Sequence, residues 1–155
     1  FLERERQGSD IMNGGPGSDT VDYSDRVVNL KVTMCVAATA SCVLGACGCA
    51  ADNGEADEND VLANVENAAT GSGDDQLFGS AADNYFEGGA GDDELRGEAG
   101  DDYLYGEEGN DSLFGAGGDD LLDGSGGVDL FDGAGGQGDI CVYRSPETTS
   151  GCELK

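Results

Sequence analysis

Histidine and tryptophan are absent from these 155 residues, proline occurs twice, and Lys and Arg together number seven. Without His the chain lacks the commonest general base and the commonest transition-metal ligand. That excludes zinc–histidine proteases, Ser–His–Asp hydrolases and Cys–His enzymes, and no catalytic residues are expected. The shortage of clustered Lys and Arg excludes nucleic acid as a partner, because phosphate binding needs them. It also argues against anionic membrane surfaces. No apolar run approaches the ~18–20 residues of a membrane span, so no membrane insertion is expected. A disordered linker would carry more Pro, Ser and Lys than this chain does.

What is abundant is acid and glycine. There are 33 Asp and Glu, a formal charge of −26, and 28 Gly. An acid excess of this size fits either a self-repelling disordered chain or a set of cation sites, and spacing decides between them. From 70 to 132 the chain falls into seven consecutive nine-residue units: TGSGDDQLF, GSAADNYFE, GGAGDDELR, GEAGDDYLY, GEEGNDSLF, GAGGDDLLD and GSGGVDLFD. Positions 1 and 4 are Gly in six of the seven, and position 6 is Asp in six, with Asn84 the exception. Position 8 is always apolar: Leu77, Phe86, Leu95, Leu104, Leu113, Leu122 and Phe131. Asp and Gly favour turns in any protein, but that preference does not require a nine-residue phase. An eighth unit, 133–141, is degenerate: Gly138 holds the aspartate position and Asp139 follows one place late. Two more units open the chain. Residues 5–13 keep Gly8, Asp10 and Met12 in phase, and 14–22 read GGPGSDTVD.

The pattern G-G-x-G-x-D-x-U-x resembles the RTX, or haemolysin-type, calcium-binding repeat. Residues 88–96 match it best, and 61–75 look like a common lead-in to such arrays. The resemblance implies an all-β fold, a parallel β-roll with calcium bound in its turns. The chain then reads as one calcium-binding β-solenoid domain over 1–155, with a cysteine-rich insert. Its parts are the opening units 5–22, a strand with a cysteine-rich and acidic insert at 23–69, the main array 70–141 and a tail 142–155.

Each unit divides into six turn residues and three strand residues, with position 8 pointing inward and positions 7 and 9 outward. Two units make one coil, so units of the same parity stack on the same side. Position 6 then forms two ladders: Asp75, Asp93, Asp111 and Asp129 on one side, Asn84, Asp102 and Asp120 on the other. Asp10, Asp19 and Asp139 are further candidate metal ligands at the ends. A neighbouring pair can hold one ion, with backbone carbonyls completing a shell of six to eight oxygens. Hard oxygen ligands without His favour calcium over transition metals. The position-5 acids Asp74, Asp92, Asp101 and Asp119 are expected to face solvent or to supply only a carbonyl. With one inward Leu or Phe per unit the core is thin, so folding should depend on the ion.

In 23–69, Val28, Leu30, Val32 and Met34 alternate with Val27, Asn29, Lys31 and Thr33, the pattern of a half-buried strand in register with the roll. Cys35, Cys42, Cys47 and Cys49 follow, then an acidic run at 52–60 that reads as a solvated loop or an ion site. The spacing C-x6-C-x4-C-x-C lacks the paired knuckles of strong zinc sites, which favours disulfides and an oxidising compartment. Proximity pairs Cys141 with Cys152 and leaves two bridges inside the insert. RTX proteins exported by type I secretion usually have few or no cysteines, and this chain departs from that habit. A start at Phe1 fits a removed signal peptide or an expression fragment.

Three functions compete. One is a secreted or cell-surface structural subunit that self-assembles head to tail, calcium and disulfides stabilising the polymer. Another is the repeat domain of a larger toxin, protease or lipase. The third is a ligand- or ice-binding solenoid, which would need regular outward Thr or Asn that this chain lacks. Cys152 after a degenerate unit reads as a finished end, which favours the first; a disulfide-bound tail acting as a cap is its competitor. Outward aromatic and apolar residues form two groups: Tyr85, Tyr103, Tyr105 and Leu121 on one face, Phe78 and Phe114 flanking Arg96 on the other. They suit a contact surface or a stabilising cross-strand ladder.

Overall fold

A unit with one inward side chain buries it only if a second sheet lies opposite. The computed structural model, which describes residues 11–35, 61–142 and 148–154, meets that need with two parallel sheets facing each other. The described elements are all strands: β1 (Ile11–Asn13), β2 (Thr20–Asp22), β3 (Lys31–Cys35), β4 (Val61–Ala63), β5 (Asn67–Ala69), β6 (Gln76–Phe78), β7 (Tyr85–Ala90), β8 (Glu94–Ala99), β9 (Tyr103–Glu108), β10 (Ser112–Gly117), β11 (Leu121–Asp123), β12 (Leu130–Asp132), β13 (Ile140–Val142), β14 (Thr148–Ser150) and β15 (Glu153–Leu154). One sheet runs β1-β4-β3-β6-β8-β10-β12-β14 and the other β15-β13-β11-β9-β7-β5-β2. Strands therefore alternate between sheets along the main array, and each pairs with the strand one coil away. Leu77 lies opposite Leu95, Leu95 opposite Leu113, and Leu113 opposite Phe131.

All seven position-8 side chains have no exposed surface. Each Leu or Phe so buried contributes roughly 1.5–3 kcal/mol of hydrophobic stabilisation. The core continues toward the N-terminus through Val65, Leu62, Val32, Val21 and Met12. Residues 61–69 thus add a strand to each sheet of the same roll, β4 to one and β5 to the other, as the lead-in suggested. β3 is in register, with Val32 opposite Leu77. Val28 departs from the alternation: it is exposed, because the chain is still turning there and the strand starts at Lys31. β4 lies between β1 and β3, so the chain steps one rung ahead into β3 and then returns.

The turns carry strain. Glu98, Glu107, Ala116, Ser125 and Ala134, all at position 2, have φ between 58° and 78°. A left-handed conformation costs an L-residue roughly 1–2 kcal/mol. This opposes the thin core, and something other than apolar packing must hold the turns closed.

At the C-terminal end Cys141 points inward in register with Leu122, fully buried, and is bridged to Cys152 as the short separation suggested. The bridge fastens the tail so that β15 pairs with β13. Cys42, Cys47, Cys49 and the acidic run lie outside the described residues.

Candidate metal centre

Position 6 closes each turn in the same way. The carboxylate reaches back one coil, and its Oδ1 accepts the backbone N–H of the previous position-6 residue. On one side Asp75 accepts from Leu30 at 2.6 Å, Asp93 from Asp75 at 2.8 Å, Asp111 from Asp93 at 2.9 Å and Asp129 from Asp111 at 2.9 Å. On the other Asp102 accepts from Asn84 at 2.7 Å, Asp120 from Asp102 at 2.9 Å and Asp139 from Asp120 at 3.0 Å. The two ladders expected from spacing are therefore formed.

The second oxygen carries the chemistry. Oδ2 of Asp19, Asp75, Asp93, Asp102, Asp111, Asp120, Asp129 and Asp139 is buried with no hydrogen-bond partner. A buried carboxylate oxygen left unpaired is costly, and a row of eight calls for a common partner. Each Oδ2 in the central array faces the first glycine of its own turn. A Cβ added at Gly88, Gly97, Gly106, Gly115 or Gly124 would collide with the carboxylate of Asp93, Asp102, Asp111, Asp120 or Asp129. Glycine leaves the space open, and backbone carbonyls line it: the Gly106 oxygen lies 3.0 Å from the Cβ position of Gly88. Among the described residues no three acidic or sulfur side chains converge on one point. Carbonyls must therefore supply most of any ion's shell. Carboxylate and carbonyl oxygens with no nitrogen or sulfur are the donor set of calcium, and the residues present fit it.

Electrostatics point the same way. Burial pushes the Asp93 carboxyl up to about 7, and the charges of Asp75 and Asp111 add to it against the opposing Asp75 N–H bond. Burial likewise raises Asp102 and Asp111 to about 6. Asp75 and Asp120 shift upward for the same reason. A divalent cation would reverse this by favouring the ionised form.

Three features were hidden in the sequence. Glu66 extends the second ladder, its Oε2 accepting the Asp19 N–H at 3.0 Å; counting nine back from Asp75 would have found it. The degenerate unit has absorbed one extra residue, since Asp119 Oδ1 accepts the N–H of both Gln137 and Gly138. That slip lets Asp139 take the ladder place. Asn84 is as buried as the aspartates, but Oδ1 accepts the Ser80 N–H at 2.9 Å and Nδ2 donates to the Glu66 carbonyl at 2.8 Å. Asp10 lies outside the described residues.

Position 5 does more than face solvent. It forms an exposed counter-ladder running the other way, each Oδ1 accepting an N–H from the next coil. Asp74 accepts from Asp92, Asp92 from Asn110, Asp83 from Asp101 and Asp101 from Asp119, at 2.8–3.0 Å. Its bonds are exposed and leave no orphaned atom. Asp93→Ala should therefore weaken calcium binding by about tenfold or more, and Asp92→Ala by clearly less, since its exposed hydrogen bond supports the turn without offering an oxygen to the ion. Calorimetric titration measures both, and equal losses would contradict the assignment.

On the outer faces, the Tyr85 and Tyr105 rings lie 5.4 Å apart, and Arg96 sits 4.4 Å over the Phe114 ring. Tyr85 donates its hydroxyl to Glu87 at 2.7 Å, which pushes its phenol up to about 12.

Two parallel sheets, an 18-residue coil and a buried aspartate in nearly every turn define a calcium-binding β-roll. A model of the RTX calcium-binding nonapeptide repeat, in 4 copies, matches residues 6–24, 69–104 and 105–140, more than half of the chain. The chain belongs to this family, whose repeats bind calcium ions. No individual curated protein matches it.

Proposed function

We propose that this chain is an extracellular structural module whose folded state is held together by calcium. The row of buried, unpartnered Oδ2 atoms carries this reading. Asp19, Asp75, Asp93, Asp102, Asp111, Asp120, Asp129 and Asp139 would hold the ions, with turn carbonyls completing each shell. Bound calcium supplies positive charge between coils that otherwise stack like charges. The protein's own part is to fix the carboxylates through Oδ1 and to keep the space open with glycine. Each site held at ~100 times its dissociation constant would add roughly 2.7 kcal/mol. The Cys141–Cys152 bridge supports an oxidising compartment. Extracellular calcium modules in general bind at about 10⁻⁴–10⁻³ M, and affinity in that range is expected here. Circular dichroism in calcium and in chelator tests the proposal. At pH 8 a β-rich spectrum is expected only with calcium; one that survives thorough chelation at that pH after disulfide reduction would sink it.

Self-association in a head-to-tail sense is the finer reading. β1 and β14 are the outermost described strands of one sheet, β2 and β15 of the other. Edge strands present N–H and C=O groups that template a further strand, and a heterologous contact of this kind does not close. Electron microscopy in calcium is the test. Filaments are expected, and monodisperse monomers at high protein and calcium concentration would contradict this part alone.

A further inference from the structure

We propose that the Asn84 turn takes no calcium and is closed by hydrogen bonds alone, making the junction between β5 and β7 the metal-independent start from which the calcium-dependent coils fold. The idea rests on reading the aspartate turns as calcium sites.

Asn84 holds the ladder position of its unit and is 1% exposed, like its aspartate neighbours. Its bonding is inverted relative to theirs. An aspartate presents Oδ1 to the N–H one coil back and leaves Oδ2 orphaned. Asn84 instead donates Nδ2 to the carbonyl one coil back, that of Glu66. Its Oδ1 fills the space over Gly79 that Oδ2 fills over Gly88, yet it is satisfied by the Ser80 N–H. Ser80 Oγ accepts the Ala82 N–H at 3.2 Å and braces the same turn. The Asn84 amide therefore has no unpartnered buried atom, and it brings no charge. The one oxygen in the place of Oδ2 is thus a neutral amide oxygen already engaged by the Ser80 N–H, where an aspartate offers an unpartnered anionic one.

Solenoids fold by adding coils onto a formed neighbour. On the Asn84 side the junction with the Glu66 turn closes without an orphaned carboxylate and so forms before metal arrives, whereas the turns at Asp75 and from Asp93 onward stack buried carboxylates that repel until it does. The amide is thus a fixed substitute for an ion at the one place where a seed is needed.

Asn84→Asp tests this. Native mass spectrometry in calcium should count one more ion than in the wild type, and Asn84→Ala should count the same number as the wild type. Hydrogen exchange in chelator supplies the second readout. The Ser80 and Tyr85 amides, which donate to Asn84 Oδ1 and to the Glu66 carbonyl, should be protected in the wild type and exposed in both variants. An equal, non-zero ion count in Asn84→Asp and wild type, or one ion fewer in Asn84→Ala, would overturn the proposal while leaving the other sites standing. Absence of ions from every protein would overturn the calcium reading and this inference with it.

Discussion

Gly109→Ala should destabilise the calcium-bound roll by ~3 kcal/mol or more, while Gly117→Ala, only eight residues away, should be neutral or slightly stabilising. Both glycines lie in the central array, so the comparison isolates backbone geometry from composition. Gly109 is the fourth residue of its turn, with φ at 143°, a conformation essentially confined to glycine. A Cβ there would also run into the Gly91 carbonyl oxygen one coil back. Neither atom can move aside: Gly91 belongs to the neighbouring turn, and its N–H is bonded to the Glu108 carbonyl at 2.8 Å. Strain of ~1–3 kcal/mol and the steric overlap therefore add. At Gly117 the nearest atom to a new Cβ is the Glu98 oxygen at 3.6 Å, an ordinary contact. There the only change is lower entropy of the unfolded chain, worth ~0.4–1 kcal/mol in favour of Ala. Urea unfolding in saturating calcium, followed by circular dichroism, measures both. Equal effects would show that close coil-to-coil approach does not set the choice of glycine.

Acid should fold the metal-free protein rather than unfold it. In chelator at pH 8 the ladder carboxyls are ionised, buried and mutually repelling. As pH falls, Asp93 takes up a proton near 7, and Asp102 and Asp111 near 6, well above the ordinary carboxyl value of 3.8. Through this window the folded chain binds more protons than the unfolded one, so stability rises as pH falls and levels off below about 4. Asp22, held below the usual range by the hydroxyl and N–H of Ser24, works in the opposite direction from an exposed turn. It is one group against at least three. The same protons compete with calcium, so metal affinity should drop over the same interval. Far-UV circular dichroism from pH 8 to 4 in chelator should show β structure growing. Loss of residual structure on acidification, the common behaviour of proteins whose carboxylates are paired, would refute the picture of uncompensated buried acid.

The nine-residue phase made the coil legible because a strict repeat leaves little freedom: Leu77, Leu95 and Leu113 must stack if every unit turns alike. It also placed the two aspartate ladders, since same-parity units share a side. Spacing carries no information about bond direction, however. Nothing in Asp92-Asp93 says that one carboxylate reaches forward and the other back, which depends on how the turn aims two adjacent side chains. Nor did Asn84 announce its inverted bonding, because Asn and Asp share a shape and differ only in where a donor replaces an acceptor. Glu66 was overlooked for a different reason. Its unit has no glycine, and Asn64, with φ at 51°, takes the left-handed role in its turn. Val28 misled in the opposite sense, since alternation continued past the point where the strand begins.

Pulled from its two ends, such a stack opens like a zipper, because tension along the axis falls on one layer of inter-coil bonds at a time. Within the main array from β6 to β12 each released coil frees 18 residues, on the order of 60 Å of extended chain. For those coils a force–extension trace would show uniform teeth, and the rung spacing of the sequence would be read as a length. The stretch between Cys141 and Cys152, clipped by its bridge, adds nothing to that length until the bridge is reduced.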